Sequence, residues 1–326
     1  MKRSYVSVGN RKKKIKLVVA IFIVFAVTTI IVAAHFFARN QQSDLIDLSY
    51  AGKISVEVNN NNPVFTKEDL KKAKKGFESY SKLDSLGRCG TAEASICVGT
   101  MPAAGENRGS MGSVTPSGWQ SISFWCRCHL IGWQLSAEND NDRNLITGTT
   151  RMNMSGMLPY ENKVAKYIEE NPSNHVLYRV EPLYDGKNLV ASGVNMQAES
   201  VEDKGKGLSF NVYVFNYQPG YIINYKNGMV DDDPDHQTSI TISDKKAAYT
   251  GEPILIDDAK VEGSTGEVKY IYYTDKNAKE RTTESDGSLS KGSAPSRKGK
   301  YYVRAVVTGD NWYPTAASNV AKLTIY

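Results

Sequence analysis

The chain has 326 residues, which is enough for a membrane anchor and two further domains. Seven of its 40 basic side chains lie in residues 1–16, and the rest of the chain carries 33 basic against 35 acidic side chains. The positive net charge therefore belongs to the N-terminal segment. This excludes an overall basic footprint for nucleic acid, so any charge that binds a phosphate chain must be local.

An apolar run at residues 17–38 is broken by only three polar residues and is long enough to cross a bilayer as a helix. The basic segment before it predicts, by the positive-inside rule, that residues 1–16 stay in the cytoplasm and that everything after Arg39 is exported. The alternative is a cleaved signal peptide, with residues 32–34 as an acceptable cleavage site. The length of the run favours an uncleaved single-pass anchor in the cell membrane. Both interpretations predict that the functional part works outside the cell, and cleavage would make it a secreted protein.

Four cysteines follow the apolar run, namely Cys89, Cys97, Cys126 and Cys128. An oxidising exterior permits disulfides, but the sequence does not choose among the three possible pairings. The Cys-x-Cys-His order at residues 126–129 also suggests zinc. However, its spacing is not that of a zinc finger, and no second Cys/His pair follows at finger distance.

Residues 39–62 are polar and rich in asparagine, which is typical of a flexible spacer. Thr66 then has the position of a helix N-cap, with Asp69 three residues later. Four lysines lie on the short helix that follows, at positions 71, 72, 74 and 75. They are either a solvated face or a patch that steers phosphates towards a groove.

Residues 63–228 are predicted to form a mixed α+β domain. Loops and short strands are expected over residues 83–120, and a strand over residues 121–125. A helix is expected within residues 153–170; because Pro159 is tolerated only in a first turn, the helix should begin near residues 155–158. β-branched and aromatic runs predict strands at residues 175–181, 189–197 and 208–217.

Residues 229–238 contain an aspartate cluster and are predicted to be a linker. Calcium binding is the alternative, although the spacing does not match an EF-hand loop. Residues 239–326 show only short β-type runs, at residues 240–242, 254–256, 268–273, 301–307 and 320–326. This pattern predicts an all-β sandwich. Its last runs resemble the Ig-like modules of bacterial surface proteins, which implies a spacer or a contact with the cell wall.

Cutting a phosphodiester requires an aimed nucleophile and neutralisation of the charge that develops at phosphorus. An imidazole can take a proton from water near neutral pH. Of the four histidines, His35 lies in the predicted anchor and His236 in the predicted linker, which leaves His129 and His175. His129 is the stronger candidate because Arg127 precedes it and an amide-rich segment follows it.

These motifs resemble the DNA/RNA non-specific endonucleases of the ββα-metal (His-Me finger) type, and in particular their membrane-anchored DNA-uptake branch in Gram-positive bacteria. The matching residues are Arg127, His129, Leu130, Ile131 and Gly132, then Asn144, Asn153 and Glu161 at the family's intervals of nine and eight. Further matches are Leu86-Gly87-Arg88, Arg108-Gly109 and Pro116-x-Gly118-Trp119. The resemblance spans residues 63–228 and implies a ββα-metal core with a mixed sheet.

The resemblance also implies roles for individual residues. His129 would be the general base, and Asn153 the one direct protein ligand of Mg²⁺, with Mn²⁺ possible. Glu161 would hold a water of the metal, and Asn144 would orient the site. Arg127 and Arg88 would contact phosphates of a DNA or RNA substrate. Two of these roles have simpler alternatives: Asn144 as a turn residue and Arg88 as part of a surface ion pair.

Two departures from the family pattern fall next to the predicted base. Cys126 stands where the family has Asp or Asn, and a thiol hydrogen-bonds weakly. Only six residues separate Trp119 from Cys126, which predicts a shortened first hairpin.

The main hypothesis is therefore an extracellular metal-dependent endonuclease that cuts DNA and RNA with little sequence preference. The two departures motivate the alternative of a catalytically impaired surface protein that binds nucleic acid or cell wall. A zinc or redox protein based on the cysteines is a third reading.

Overall fold

The computed structural model describes residues 45–282 and 292–326, and residues 50–326 form one compact unit. The basic segment 1–16, the predicted anchor at residues 17–38 and the start of the spacer lie outside the described residues. Within the described part of the chain, no helix is both long enough and apolar enough to cross a membrane.

The first part of the compact unit combines α-helices and β-strands, as the sequence predicts. In chain order its elements are β1 (Ser55–Glu57), α1 (Lys67–Ala73), β2 (Glu78–Tyr80), β3 (Ala92–Ile96), β4 (Trp125–His129), α2 (Trp133–Ser136), β5 (Leu145–Thr149), α3 (Leu158–Glu170), β6 (Val176–Leu183), β7 (Gly193–Ser200), β8 (Ser209–Phe215), β9 (Tyr221–Asn224) and β10 (Met229–Asp232).

An antiparallel sheet of six strands, in the order β1-β8-β7-β6-β3-β2, forms the centre of this region. The predicted strands at residues 175–181 and 208–217 are confirmed as β6 and β8, and the run at residues 189–197 begins later, as β7. Tyr178 and Met196 of the sheet belong to the same buried core as Val164 and Ile168 of α3. The amphipathic helix α3 therefore covers one face of the sheet, and burial of its apolar side chains stabilises the packing of helix on sheet.

The predicted cap of α1 is confirmed. The Thr66 hydroxyl accepts a hydrogen bond from the Asp69 amide at 3.1 Å, and the Asp69 carboxylate accepts one from the Thr66 amide at 2.9 Å. This reciprocal pair satisfies two amides that the first turn leaves free. The four lysines of this segment are exposed.

Strands β4 and β5 form a separate two-stranded antiparallel ribbon, in which Cys126 lies opposite Gly148 and His129 opposite Leu145. The prediction of a strand over residues 121–125 is wrong for residues 121–124, which form turns. The strand begins at Trp125 and carries the Cys-Arg-Cys-His motif itself. The motif's side chains therefore alternate between the two faces of the ribbon.

A wide turn of π-helical geometry, Met152–Met157, leads from β5 into α3. Regular α-helix begins at Leu158 with Pro159 in its first turn, which confirms the start predicted near residues 155–158. A Cβ on Gly156 would lie 2.3 Å from Val214 Cγ1, so the turn packs directly on β8. Turns of this kind interrupt helices mainly at functional sites.

The last part of the described chain contains only strands, as predicted. They are β11 (Ser239–Thr241), β12 (Lys245–Ala247), β13 (Lys260–Glu262), β14 (Val268–Tyr273), β15 (Gly299–Val307), β16 (Ala316–Ala317) and β17 (Ala321–Ile325). β11 pairs with β13, and a second sheet has the order β12-β17-β15-β14 with β16 beside β15. The strand predicted at residues 254–256 is absent, although Ile256 is buried in the core of this region. The apolar side chains at residues 254–256 therefore reflect burial and not strand formation.

The predicted linker at residues 229–238 begins as regular structure, because Met229–Asp232 pairs with β9. Asp233 then accepts a hydrogen bond from the ring of His236 at 2.8 Å. Among the described residues, no group of three or more His, Cys, Asp or Glu side chains has a geometry that could hold a metal ion.

Buried Asn216 ties the β4–β5 ribbon to the central sheet. Its Oδ1 accepts from the amide of Thr149 at 2.9 Å, and its Nδ2 donates to the carbonyls of Thr147 and Ala191 at 3.1 and 3.0 Å. Three backbone groups that are out of reach of water are thereby satisfied.

Replacing Asn216 with alanine should lower the free energy of unfolding by about 2–4 kcal/mol, because it leaves buried backbone groups unpaired. Chemical denaturation measures this change. The matched control is Asn107→Ala, at an exposed amide, which should shift stability by less than about 0.5 kcal/mol. Equal effects of the two substitutions would contradict the role of Asn216 in holding the β4–β5 ribbon to the central sheet.

Candidate active site

One pocket of about 360 Å³ gathers four of the predicted site residues: Arg127, His129, Asn153 and Glu161. Arg127 and His129 come from β4, Asn153 from the π-type turn and Glu161 from the first turns of α3. The ribbon, the turn and the helix thus bring together residues that are up to 34 positions apart in the sequence. Arg108 and Cys126 also line this pocket.

His129 is buried, and both of its ring nitrogens are engaged. Nε2 lies 3.0 Å from the carbonyl oxygen of Asn139, and Nδ1 lies 3.0 Å from a guanidinium nitrogen of Arg108. A carbonyl only accepts and a guanidinium only donates, so the ring is the neutral tautomer with its proton on Nε2. Burial, together with the charge of Arg108, lowers the pKa of His129 to about 4. The imidazole is therefore neutral at neutral pH, with its free lone pair on the side of Arg108.

Arg108 is a site residue to which the sequence reasoning gave no role. Its side chain reaches the pocket from an exposed loop and contacts the Nδ1 lone pair of His129. The signal was present in the sequence, because Arg108-Gly109 is one of the matches to the endonuclease pattern. A loop without regular structure gave no means of predicting where its side chain would point.

Glu161 presents a buried carboxyl group to the same pocket. Burial raises its pKa to about 7, against opposing hydrogen bonds from Gln134 and the Gly132 amide and the charge of Arg108. A Cβ on Gly132 would lie 2.5 Å from Glu161 Oε2. The glycine of the Leu-Ile-Gly motif is thus required by the close approach of the carboxylate to the backbone.

Asn153 has an amide oxygen that is free to bind a cation. Its Nδ2 makes only a weak contact with the sulfur of Met154 at 3.8 Å, and no group in the described chain donates to its Oδ1. The pocket thus offers an amide oxygen and a carboxylate, and these are the donors that Mg²⁺ and Mn²⁺ prefer. The residues present therefore fit a hard divalent cation.

Asn144 does not line the pocket, but it is fully buried beside it. Its Oδ1 accepts from the Ile131 amide at 2.9 Å and its Nδ2 donates to the Ile131 carbonyl at 3.0 Å. The side chain therefore closes the loop between His129 and Gly132 onto β5. This pair of bonds fixes the segment that follows His129, and Asn144 also closes a turn, in which its amide donates to the Asn141 carbonyl at 3.0 Å.

Arg88 lies outside the pocket. Its guanidinium pairs with Asp84 at 2.7 Å and donates to the carbonyls of Gly186 and Asn188, both at 2.9 Å. These bonds join two loops and occupy the side chain. The geometry therefore favours the ion-pair alternative over the predicted contact with a phosphate.

Arg127 faces the pocket while its own position is fixed by neighbours. Its Nε donates to the carbonyl of Val114, and its guanidinium lies 4.4 Å from the centre of the Trp119 ring. Stacking and a backbone bond leave the guanidinium amino groups available at the pocket.

The pocket is also lined by the apolar side chains of Met111, Trp133, Met154 and Leu158. Met154 is 53% exposed. The other three tryptophans of the described chain each contact an aromatic ring or a cationic side chain. Trp133 has no such contact in the described chain, and its indole nitrogen makes no hydrogen bond there.

Residues 67–202 match the family model described as DNA/RNA non-specific endonuclease. This segment contains every predicted site residue. Residues 67–202 are therefore similar to the DNA/RNA non-specific endonucleases.

A curated relative, a deoxyribonuclease from Streptococcus dysgalactiae subsp. equisimilis, is 32% identical over 130 residues. The match covers 37% of this chain and 39% of that protein. This chain therefore spans well under half the length of that relative.

Solved structures with similar folds include NucA from Streptococcus agalactiae with a magnesium ion bound, at 25% identity and a TM-score of 0.49. That match covers 60% of this chain and 95% of the other. The Sda1 nuclease with a bound zinc ion is 28% identical with a TM-score of 0.44, over 48% of this chain and 81% of the other.

The raised pKa of Glu161 predicts a pH-dependent cost to folding in the absence of divalent ions. Its pKa is about 7 in the folded protein against 4.5 in the unfolded chain, so the folded state keeps its proton longer and stability falls as pH rises between these values. Relative to Glu161→Gln, the wild type should lose about 3 kcal/mol over that range, since one pKa unit corresponds to about 1.4 kcal/mol.

Urea denaturation of both proteins across this pH range measures the difference. His129 titrates in both proteins, so its contribution cancels. A difference that does not change with pH would show that Glu161 ionises normally.

Proposed function

We propose that this chain is an extracellular metal-dependent endonuclease that hydrolyses DNA and RNA with little sequence preference. The observation that carries the proposal is the convergence of a neutral imidazole, a free amide oxygen and a buried carboxyl in one open pocket. The endonuclease match of residues 67–202 and the name of the streptococcal relative support the same chemistry.

Asn153 would hold a Mg²⁺ or Mn²⁺ ion directly, with Glu161 beside it as a second oxygen donor or through water. The ion, when bound, supplies positive charge to the phosphate and the leaving oxygen. Because its pKa is raised to about 7, Glu161 should bind the cation better once it has lost its proton.

His129 would act as the general base. The bond from Nε2 to the Asn139 carbonyl fixes the tautomer and leaves the Nδ1 lone pair to accept a proton from water. In the structure Arg108 donates to this lone pair. A phosphate entering the pocket is a stronger acceptor, so Arg108 would move to it and free Nδ1 for the water, and Arg127 would bind the same or the neighbouring phosphate.

Little sequence preference is expected because the charged groups of the pocket suit phosphate oxygens, which carry no sequence information. Trp133 and Met154 would pack against the sugar and base beside the scissile bond. Stacking of this kind accepts every base, since each one has a π-face.

The location of the enzyme is also a proposal. The apolar run at residues 17–38 and the basic residues before it support a single-pass anchor with the catalytic domain outside the cell. The all-β region from residue 239 would be an Ig-like module that serves as a spacer or contacts the cell wall.

The decisive test is plasmid nicking by residues 40–326 with and without Mg²⁺. Cleavage should require the divalent ion and fall by at least about 100-fold in His129→Ala, because general-base catalysis contributes about 10²–10⁴-fold. His175→Ala is the matched control, because that imidazole pairs with Glu202 and lies outside the pocket. It should retain full activity.

Cleavage without any divalent ion, or full activity of His129→Ala, would contradict the assigned roles. Binding of DNA with no turnover at any divalent ion would favour the alternative of an impaired surface-binding protein, which the thiol at position 126 motivates.

Replacing Trp133 with leucine should raise KM for single-stranded DNA by about five-fold or more and leave kcat little changed, because base stacking contributes about 1–3 kcal/mol per base. Trp133→Tyr, which keeps an aromatic face, should recover most of the loss. Steady-state kinetics on a normal oligonucleotide and on one with abasic positions separates the cause. An equal loss on both substrates would rule out stacking.

A further inference from the structure

Cys126 and Cys128 bring two thiols into contact at the edge of the active-site pocket. They are two positions apart on β4, so both side chains lie on the same face of the ribbon. Their sulfur atoms are 3.1 Å apart. A disulfide bond is about 2.05 Å long, so closure requires an approach of about 1 Å.

Gly148 provides the space for this pair. It lies opposite Cys126 on β5, and a Cβ at this position would be 2.4 Å from the sulfur of Cys128. Any larger residue would push the two thiols out of their niche. The ribbon is therefore built to accommodate both sulfur atoms at this point.

The two thiols differ in their access to solvent. Cys126 lines the pocket together with His129 and Asn153, whereas Cys128 is completely buried. Contact with Cys128 lowers the pKa of Cys126, and burial raises the pKa of Cys128. A small reagent in the pocket thus meets Cys126 first and as the more acidic thiol, and Cys128 lies directly behind it.

We propose that Cys126 and Cys128 form an oxidisable site, in which a low-molecular-weight disulfide entering the pocket converts the two thiols into an intramolecular disulfide and thereby reduces phosphodiester cleavage. The formation of the disulfide is inferred from the positions of the two thiols alone. The effect on cleavage rests on the proposed function.

The reaction proceeds by two thiol–disulfide exchanges. The Cys126 thiolate attacks one sulfur of the reagent, which forms a mixed disulfide and releases the first small thiolate. The Cys128 thiol then gives its proton to that thiolate and attacks the Cys126 sulfur. The second half of the reagent leaves through the pocket as a thiolate and takes up the proton that Cys126 had lost to water. The two protein thiols are oxidised to one disulfide, and the reagent is reduced to two thiols.

The consequence for catalysis follows from the position of the bond. The disulfide would join residues on either side of Arg127 and next to His129, so the strand must contract where it presents both side chains. A displacement of about 1 Å at a catalytic group can lower the rate by about 100-fold.

The test uses the reduced protein of residues 40–326, equilibrated with oxidised glutathione and then with dithiothreitol. Peptide mapping by mass spectrometry should find Cys126 joined to Cys128, and plasmid nicking should fall at least about ten-fold and recover after reduction. In Cys128→Ser, glutathione should remain attached to Cys126, because the resolving thiol is gone. The activity of Cys126→Ser, whatever its own level, should no longer respond to the oxidant.

Cys97→Ser is the matched control, because Cys97 is partly exposed and lies outside the pocket. This variant should keep both the basal activity and the response to oxidant. The proposal is overturned if Cys126 and Cys128 remain thiols under these conditions, or if the oxidised protein cleaves as fast as the reduced one. If the reduced wild type does not cleave at all, the proposed function fails instead, and the mapping still decides whether the disulfide forms.

Discussion

The geometry of the site depends on two buried amides that hold a two-stranded ribbon against the rest of the fold. Asn144 satisfies both backbone groups of Ile131, and Asn216 satisfies the backbone at Thr147 and Thr149. Asn144 lies just after the His129 end of the ribbon, and Asn216 joins β5 to the central sheet. A ribbon of two strands is marginally stable by itself, so these bonds decide where its side chains stand relative to α3.

Burial shifts the pKa values of His129 and Glu161 in opposite directions. The pKa of His129 is lowered to about 4 and the pKa of Glu161 is raised to about 7. Both shifts have the same first cause, because a low-polarity surrounding disfavours whichever form carries charge. Arg108 adds to the first shift and opposes the second. The result is a neutral imidazole and a carboxyl group that titrates near neutral pH in the same pocket.

Sequence patterns predicted the parts of the fold in which local signals agree with burial. The capping residues of α1, the proline in the first turn of α3 and the strands β6 and β8 carry such signals. The run at residues 254–256 misled because burial and strand formation select the same side chains. The partners of Arg88 could not be predicted because the bonds of its guanidinium to Gly186 and Asn188 depend on loops about 100 residues away in sequence. Arg108 and Trp133 were assigned no role for the same reason, since only the folded chain shows which side chains share a pocket.

The all-β region from residue 239 packs against the preceding α+β region through aromatic side chains. Tyr50 stacks on Tyr217 with ring centres 3.8 Å apart, and both rings meet Trp312 edge-on. The ring of His236 stacks on Trp312 at 5.2 Å. Arg151, two residues before Asn153, donates to the side chain of Asn311 at 2.8 Å in the same loop as Trp312. Aromatic pairs contribute more than their buried area alone, and the β9–β10 hairpin shortens the connection on one side. The turn that carries Asn153 therefore contacts residues of both regions, and the C-terminal region helps to fix the position of this turn.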